Sequence, residues 1–240
     1  LQHTPQFSFM PVGGGPGSPI VLDPAPRIDF KTANVPWCDT GGTLLDPPGY
    51  KVIEKPGLTT NFFAGVTAHA MPDALADENE EKYNGRIATG GHSLLCLDRK
   101  LVKPSGASYS IEACDFLENT GAMIHVKDQT SSSRLSHLFN QGTVSARVMK
   151  MDGPFRDLLR TRIADQETAL GLTGYQALVA GSGTPYSEAA HLIVYAVICS
   201  GVGAGTNRLP FFSLVTFRQA ANELRALGYK CAFAWIAKPA

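Results

Sequence analysis

One uninterrupted apolar run near the C-terminus most constrains the fold of this chain. Residues 191–199 read HLIVYAVIC, and all but the first of them are apolar or aromatic. A strand with one solvated face alternates apolar and polar residues, whereas a strand buried on both faces is a continuous hydrophobic run. This segment is therefore predicted to be a buried strand of a sheet.

A second buried strand is predicted at residues 229–237, YKCAFAWIA. The helix predicted between the two strands begins at Ser213 as its cap, carries apolar residues from Phe217 to Leu227, and stops at Gly228. A strand, a helix and a strand of this length predict parallel pairing with a right-handed crossover.

Three shorter strands are predicted upstream, over residues 92–102, 109–117 and 122–127, with a turn at 118–121. Helices are predicted near 72–82, from Arg134 to Gly142, and from Asp152 and Pro154 onward. The predicted order is thus a helix, a three-strand meander, helices and a β-α-β unit. We expect an α/β (α+β) fold with a mixed sheet.

The N-terminal part differs in composition from the rest. Residues 1–70 hold most of the prolines and a run of glycines at 13–17, so they are predicted to form an extended arm or linker before a domain at 71–240. The arm also carries apolar residues that need a surface to cover, either on this domain or on a neighbouring protein subunit. Because the chain does not start with Met, we expect a fragment of a longer protein.

Composition narrows the class of protein. The formal net charge is zero, hydrophobic content is 44% and charged content is 18%, which favours a soluble globular domain and excludes a non-specific nucleic-acid coat. The 5 cysteines are widely spaced and odd in number, which suits buried thiols in a reducing compartment. No apolar run reaches bilayer-spanning length. We therefore expect a cytoplasmic location and no membrane partner.

Asp115, His125 and Lys127 form the candidate catalytic group. Alternation along a strand puts His125 and Lys127 on one face, where the preceding hairpin strand can bring Asp115 beside them. Metal-dependent phosphodiester cleavage needs this set: a carboxylate for the ion, a second ligand, and an ammonium near the attacking water. The alternative is a half-buried hairpin with a solvated polar face, in which Asp115 forms a structural ion pair or caps a turn.

Further candidates extend this group. Asp98 and Glu81 are expected to assist Asp115 at the metal, and His125 is expected either to bind the ion or to act as a general base. Imidazole favours a softer ion such as Mn over Mg. In a regular strand Glu112 points to the face opposite to Asp115 and is expected to be structural unless a bulge intervenes. The candidates for phosphate binding at the N-terminus of the following helix are Ser132, Ser133, Arg134 and Gln141. Ordinary helix capping explains the serines equally well.

The order and spacing of Asp115, His125 and Lys127 resemble the core of the PD-(D/E)xK nuclease superfamily, except that His125 stands where that superfamily has Asp or Glu. The resemblance implies a restriction-endonuclease-like core, a divalent metal (Mn or Mg), and an extra carboxylate from the helix before the first strand.

Longer strings resemble a sporadically distributed bacterial family with a domain of unknown function, over roughly residues 80–238: SLLCLDRKLV, IEACDFL, MIHVKDQTSSSRLSHLFNQGTVSA and LPFFSLVTFRQAANELRALGY. That family implies a mobile accessory gene of the kind tied to host defence. Two functions follow as hypotheses. One is a metal-dependent nuclease, or a module derived from one, that acts on DNA or RNA. The other is a non-catalytic binding or assembly module, or a structural component of a larger particle.

Overall fold

A computed structural model describes residues 63–129, 131–200 and 209–239. The described residues form one mixed sheet and four α-helices. Residues 1–62, and with them nearly all of the predicted arm, lie outside this part.

The sheet contains six strands in the order β1-β6-β5-β4-β3-β2. Their bounds are β1 Val66–Ala68, β2 Leu94–Cys96, β3 Phe116–Glu118, β4 Ala122–Asp128, β5 Leu192–Ser200 and β6 Lys230–Lys238. Strands β1, β6, β5 and β4 run parallel, and β3 and β2 pair antiparallel beyond β4. The predicted mixed α/β architecture is confirmed. The short strand β1 escaped the sequence analysis, because three residues give no readable periodicity.

Helices cover both faces of this sheet. Their bounds are α1 Glu80–Thr89, α2 Ser132–Met151, α3 Gly153–Leu170 and α4 Phe211–Leu227. Ile193, Tyr195 and Val197 of β5 pack into a core with α2, α3 and α4, and the alternate residues of β5 pack on the side of α1. The apolar run at 191–199 is therefore buried on both faces, as its sequence predicts.

The predicted end of α2 at Gly142 is wrong, because the helix continues to Met151. Gly142 is buried where α2 crosses β5, and a Cβ there would lie 2.5 Å from Cε1 of Tyr195. The Tyr195 hydroxyl donates to the Phe139 carbonyl oxygen at 2.9 Å. The glycine thus allows a close approach between helix and sheet instead of ending the helix.

Two predicted helix starts are also wrong. Helix α4 begins at Phe211 after Pro210, so Ser213 lies inside it, and the buried Ser213 hydroxyl has no hydrogen-bond partner among the described residues. Helix α1 begins at Glu80, because the Asn79 side chain accepts from the Lys82 N–H at 2.9 Å. Upstream, the Ala74 N–H donates to the Ala237 carbonyl oxygen at 2.8 Å, which holds that segment against β6.

The first two strands of the meander are shorter than predicted. Between β2 and β3 the chain turns at Arg99, whose φ of 59° lies in the left-handed region, and then forms an isolated antiparallel bridge between Val102 and Ile111. As a result Asp98 and Asp115 lie just outside regular strand, and alternation no longer fixes the directions of their side chains.

Candidate active-site cleft

An open cleft of about 580 Å³ lies at the C-terminal end of β4. Its walls come from the first turns of α1 and α2, the turn after β2, and the last two residues of β4. Ligands of open α/β sheets bind outside the carboxyl ends of parallel strands, and β4 is parallel to β5. The cleft is thus placed where a small charged ligand is expected.

Two helix N-termini meet at this cleft. The Glu80 N–H at the start of α1 donates to Oδ2 of Asp128, the last residue of β4, at 3.1 Å. At the start of α2 the Ser131 hydroxyl accepts from the Arg134 N–H at 3.3 Å. This cap leaves Ser133 and Arg134 in the first turn of α2, where both line the cleft.

The charges in the cleft are mixed. Four carboxylates, those of Glu80, Glu81, Asp98 and Asp128, face the three cationic side chains of Arg99, Lys127 and Arg134. Lys127 Nζ lies 2.7 Å from Glu80 Oε1, and Arg99 Nη1 lies 2.9 Å from Glu81 Oε1. Within the described ranges Arg134 forms no ion pair, so it is the cation of the cleft that is available to an anion.

Asp98, Glu112 and Asp115 form a carboxylate cluster beside the cleft. Carboxylate oxygens of the three residues lie within 4.8 Å of one another, close enough to share one metal ion. Asp98 also lines the cleft, which connects the cluster to solvent. Glu112 is held in place from α2, because its carbonyl oxygen accepts from the Ser145 hydroxyl at 2.9 Å and its Oε2 from Gln141 Nε2 at 3.0 Å.

Asp115 completes the ladder between β3 and β4. Its N–H donates to the Ile124 carbonyl oxygen at 2.9 Å, and its Oδ2 accepts from the Val126 N–H at 2.8 Å. The carboxylate thereby replaces a carbonyl in the strand pairing. Only 4% of the residue is exposed to solvent, so the carboxylate lies in the protein interior.

The electrostatics of Asp115 favour a cation. Burial raises the pKa of its carboxyl well above the usual value, the Val126 hydrogen bond opposes that shift, and the charges of Glu112 and Asp98 add to it. A divalent ion bound to three carboxylates would supply the countercharge that this cluster needs, and oxygen ligands are those that Mg²⁺, Mn²⁺ and Ca²⁺ prefer.

His125 is not brought to this site. It pairs in register with Tyr195 of β5 and is fully buried. Neither of its ring nitrogens has a hydrogen-bond partner among the described residues. Burial lowers its pKa to about 4. Lys127 lines the cleft and pairs with Glu80, whereas the enclosed His125 belongs neither to the lining of the cleft nor to the carboxylate cluster.

The remaining sequence candidates divide between two places. Glu81, Asp98, Ser133 and Arg134 line the cleft, whereas Gln141 binds the carboxylate cluster through Glu112. Ser132 is half-buried on α2 and does not line the cleft.

Sequence reasoning missed Glu112 and Glu80 as site residues. Strand alternation places Glu112 on the face opposite to Asp115 only if the strand is regular, and the isolated bridge at Ile111 removes that condition. Glu80 could have been found from the sequence, because Asn79 followed by two glutamates is a typical helix start.

Residues 52–237 match a family of unknown function, DUF6119, and the chain belongs to this family. The match agrees with the resemblance to a domain of unknown function. Comparison with curated proteins and with solved structures gives no match. Among the helices that the structure describes, none is long and apolar enough to cross a membrane.

Proposed function

We propose that the carboxylate cluster binds a divalent metal ion and that the protein is a metal-dependent nuclease acting on DNA or RNA. The observation that carries the proposal is the position of Asp98. It belongs both to the cluster with Glu112 and Asp115 and to the wall of the cleft that holds Lys127 and Arg134. The metal ligands and the phosphate-binding groups would therefore meet at one point.

The metal ligands proposed here differ from those expected from sequence. Asp98 and Asp115 remain, Glu112 takes the place of the enclosed His125, and Glu81 is engaged by Arg99. A set made only of carboxylates suits Mg²⁺ as well as Mn²⁺. When bound, such an ion lowers the pKa of a coordinated water and polarises the phosphoryl oxygen.

The other residues of the cleft have separate roles in this proposal. Arg134 binds the phosphate, together with the positive end of the α2 dipole and the Ser133 hydroxyl. The Lys127 ammonium lies within the same cleft and stabilises the charge that develops on the phosphorane. Glu80 holds that ammonium in position at 2.7 Å. Because carboxylates outnumber cations, a phosphate needs the metal in order to bind.

The order of elements supports the same proposal. A helix (α1), an antiparallel meander (β2, β3 and β4), two helices (α2 and α3) and a strand parallel to β4 (β5) follow one another along the chain. This is the order expected of a restriction-endonuclease-like core. Resemblance to a sporadically distributed family favours a role in bacterial defence or on a mobile element.

Cleavage of plasmid DNA and of RNA by purified protein, with Mn²⁺ or Mg²⁺, tests the proposal. Asp98→Asn and Lys127→Met should each abolish cleavage. Asp165→Asn should keep it, because Asp165 is exposed on α3 and, within the described part of the chain, forms an ion pair with Arg162 alone. Equal activity in all variants would indicate a contaminating nuclease and overturn the assignment.

The second candidate is a metal-binding but non-catalytic module. It is favoured by the ion pair that neutralises Lys127 and by the enclosed His125 at the position of an expected acid. A melting temperature that rises with Mn²⁺, without cleavage of either nucleic acid, would decide for this candidate. If no divalent ion raised the melting temperature or supported cleavage, both candidate functions would be contradicted.

A further inference from the structure

A second groove, of about 430 Å³, adjoins the cleft along α2. His137 lines both the cleft and the groove, and Glu112 belongs both to the groove and to the carboxylate cluster. From Ser133 in the cleft to Val144 at the far end of the groove, α2 advances about 16 Å at its usual rise. The cleft and the groove are thus parts of one surface.

The chemistry of the groove differs from that of the cleft. Leu101 is 52% exposed and Val144 is 41% exposed, and both line it together with the half-buried Ile111. No Lys or Arg is among its lining residues, and its one carboxylate, Glu112, accepts hydrogen bonds from Gln141 and the Arg99 N–H. This surface suits a flat, uncharged group and offers a phosphate neither Lys nor Arg as a partner.

A free amide adds hydrogen-bonding capacity. Asn140 lines the groove with an exposed side chain, for which the described part of the chain offers no hydrogen-bond partner. An amide presents a donor and an acceptor side by side, which is the pattern that base edges match.

We infer that the groove holds the base of a nucleotide whose phosphate lies in the cleft, so that the substrate is single-stranded or locally unpaired nucleic acid. The inference rests on the proposed function and specifies its substrate. Bases in a duplex are stacked and paired, and one must leave the stack before it can lie on an apolar wall. The continuity through His137 places that base next to the phosphate that would be cleaved.

Fluorescence anisotropy with labelled oligonucleotides tests the inference. Five probes are compared: single-stranded DNA, single-stranded RNA, a DNA duplex, and single-stranded DNA with either one or all bases removed. Ca²⁺ replaces Mn²⁺ so that binding is measured separately from cleavage. We expect single strands to bind about tenfold more tightly than the fully abasic strand, since the apolar wall removes part of one base from water. The RNA and DNA probes show which sugar is accepted.

Two variants localise the effect. Val144→Glu should reduce affinity for the single strand to the level of the abasic strand, because it places a charge on the apolar wall. Leu158→Glu is the matched control, as Leu158 is 51% exposed on α3 and does not line the groove. Both sites are exposed, so neither change should disturb folding, and circular dichroism checks this.

The outcomes separate this inference from the proposed function. Equal affinity for intact and abasic strands, with metal-dependent cleavage retained, overturns the inference alone. Preference for the duplex does the same. Base-dependent binding without cleavage supports the groove and overturns the hydrolytic function. No binding and no cleavage overturn both.

Discussion

The ammonium of Lys127 lies 2.7 Å from Oε1 of Glu80, although 47 positions separate the two residues in the chain. Both side chains are partly buried, at 21% and 24% exposure. Together with the bond from the Glu80 N–H to Asp128, this ion pair joins the first turn of α1 to the end of β4. It therefore sets the width of the cleft.

A double-mutant cycle with Lys127→Met and Glu80→Gln measures this pair. We expect a coupling of about 1 kcal/mol in the free energy of unfolding, because the partners are shielded from solvent more than a surface pair is. The coupling should decline with added salt. Lys82 and Asp77, an exposed pair at 3.2 Å, form the control and should show no measurable coupling. Equal couplings would mean that Lys127 is not held by Glu80.

Asp115→Asn should stabilise the metal-free protein at neutral pH. Burial raises the pKa of Asp115 in the folded protein. Its contribution to the free energy of unfolding is therefore present at low pH and is lost as pH rises above the pKa of an aspartate in the unfolded chain. Asparagine has no carboxyl to ionise and can still accept from the Val126 N–H. Thermal unfolding at several pH values, without divalent ions, checks this.

The same variant tests the metal site. Mn²⁺ should raise the melting temperature of the wild-type protein, because ligands that bind only the folded state stabilise it. Asp115→Asn should lose most of that increase, whereas Asp165→Asn should keep it. An undiminished increase in Asp115→Asn would place the ion elsewhere.

His125→Leu should weaken the acid sensitivity of the fold. The pKa of His125 is about 4 in the folded protein, against 6.5 for a histidine exposed to water, so the unfolded chain takes up a proton first as pH falls. As pH falls from 6.5 to 4, His125 should lower the free energy of unfolding of the wild-type protein by about 3 kcal/mol. At higher pH it should have no such effect. Urea unfolding at a series of pH values gives the free energy of unfolding of the wild type and of the variant. The difference between the two isolates the contribution of His125, because Asp115, whose contribution has the opposite pH dependence, is present in both.

The sequence predicts the layers of this fold better than it predicts the site. The runs at 191–199 and 229–237 identify β5 and β6 because burial on both faces leaves a composition signal that needs no partner. The Asp152 cap of α3 is equally local, since its side chain accepts from the Phe155 N–H at 2.9 Å. The position of Glu112 in the carboxylate cluster depends on a turn at Arg99, which has a left-handed backbone conformation. Arginine does not indicate such a turn in a sequence. The sequence predicts His125 as a ligand because strand alternation does not reveal that its ring is enclosed. A buried histidine without hydrogen-bond partners is also rare, so the sequence gives no reason to expect one.

Gly142→Ala should destabilise the protein by about 2–3 kcal/mol, because the new methyl group would collide with the Tyr195 ring. Gly85→Ala is the matched change in α1, where a Cβ meets nothing within 4 Å, and it should stabilise by about 1 kcal/mol. Urea unfolding of both variants measures the difference. A Gly142→Ala variant as stable as the wild type would show that α2 and β5 can separate without cost.

The hydrogen bond from the Val126 N–H to Asp115 connects the carboxylate cluster to β4, the strand that carries Lys127. Val126 directly precedes Lys127, so the residue whose N–H binds the cluster is the neighbour of the residue that carries the ammonium. In the proposed metal complex, an ion that drew the Asp115 oxygens toward Asp98 and Glu112 would pull on this amide and shift Lys127. Under that proposal, ion binding and the alignment of the Lys127 ammonium would be linked through one backbone amide.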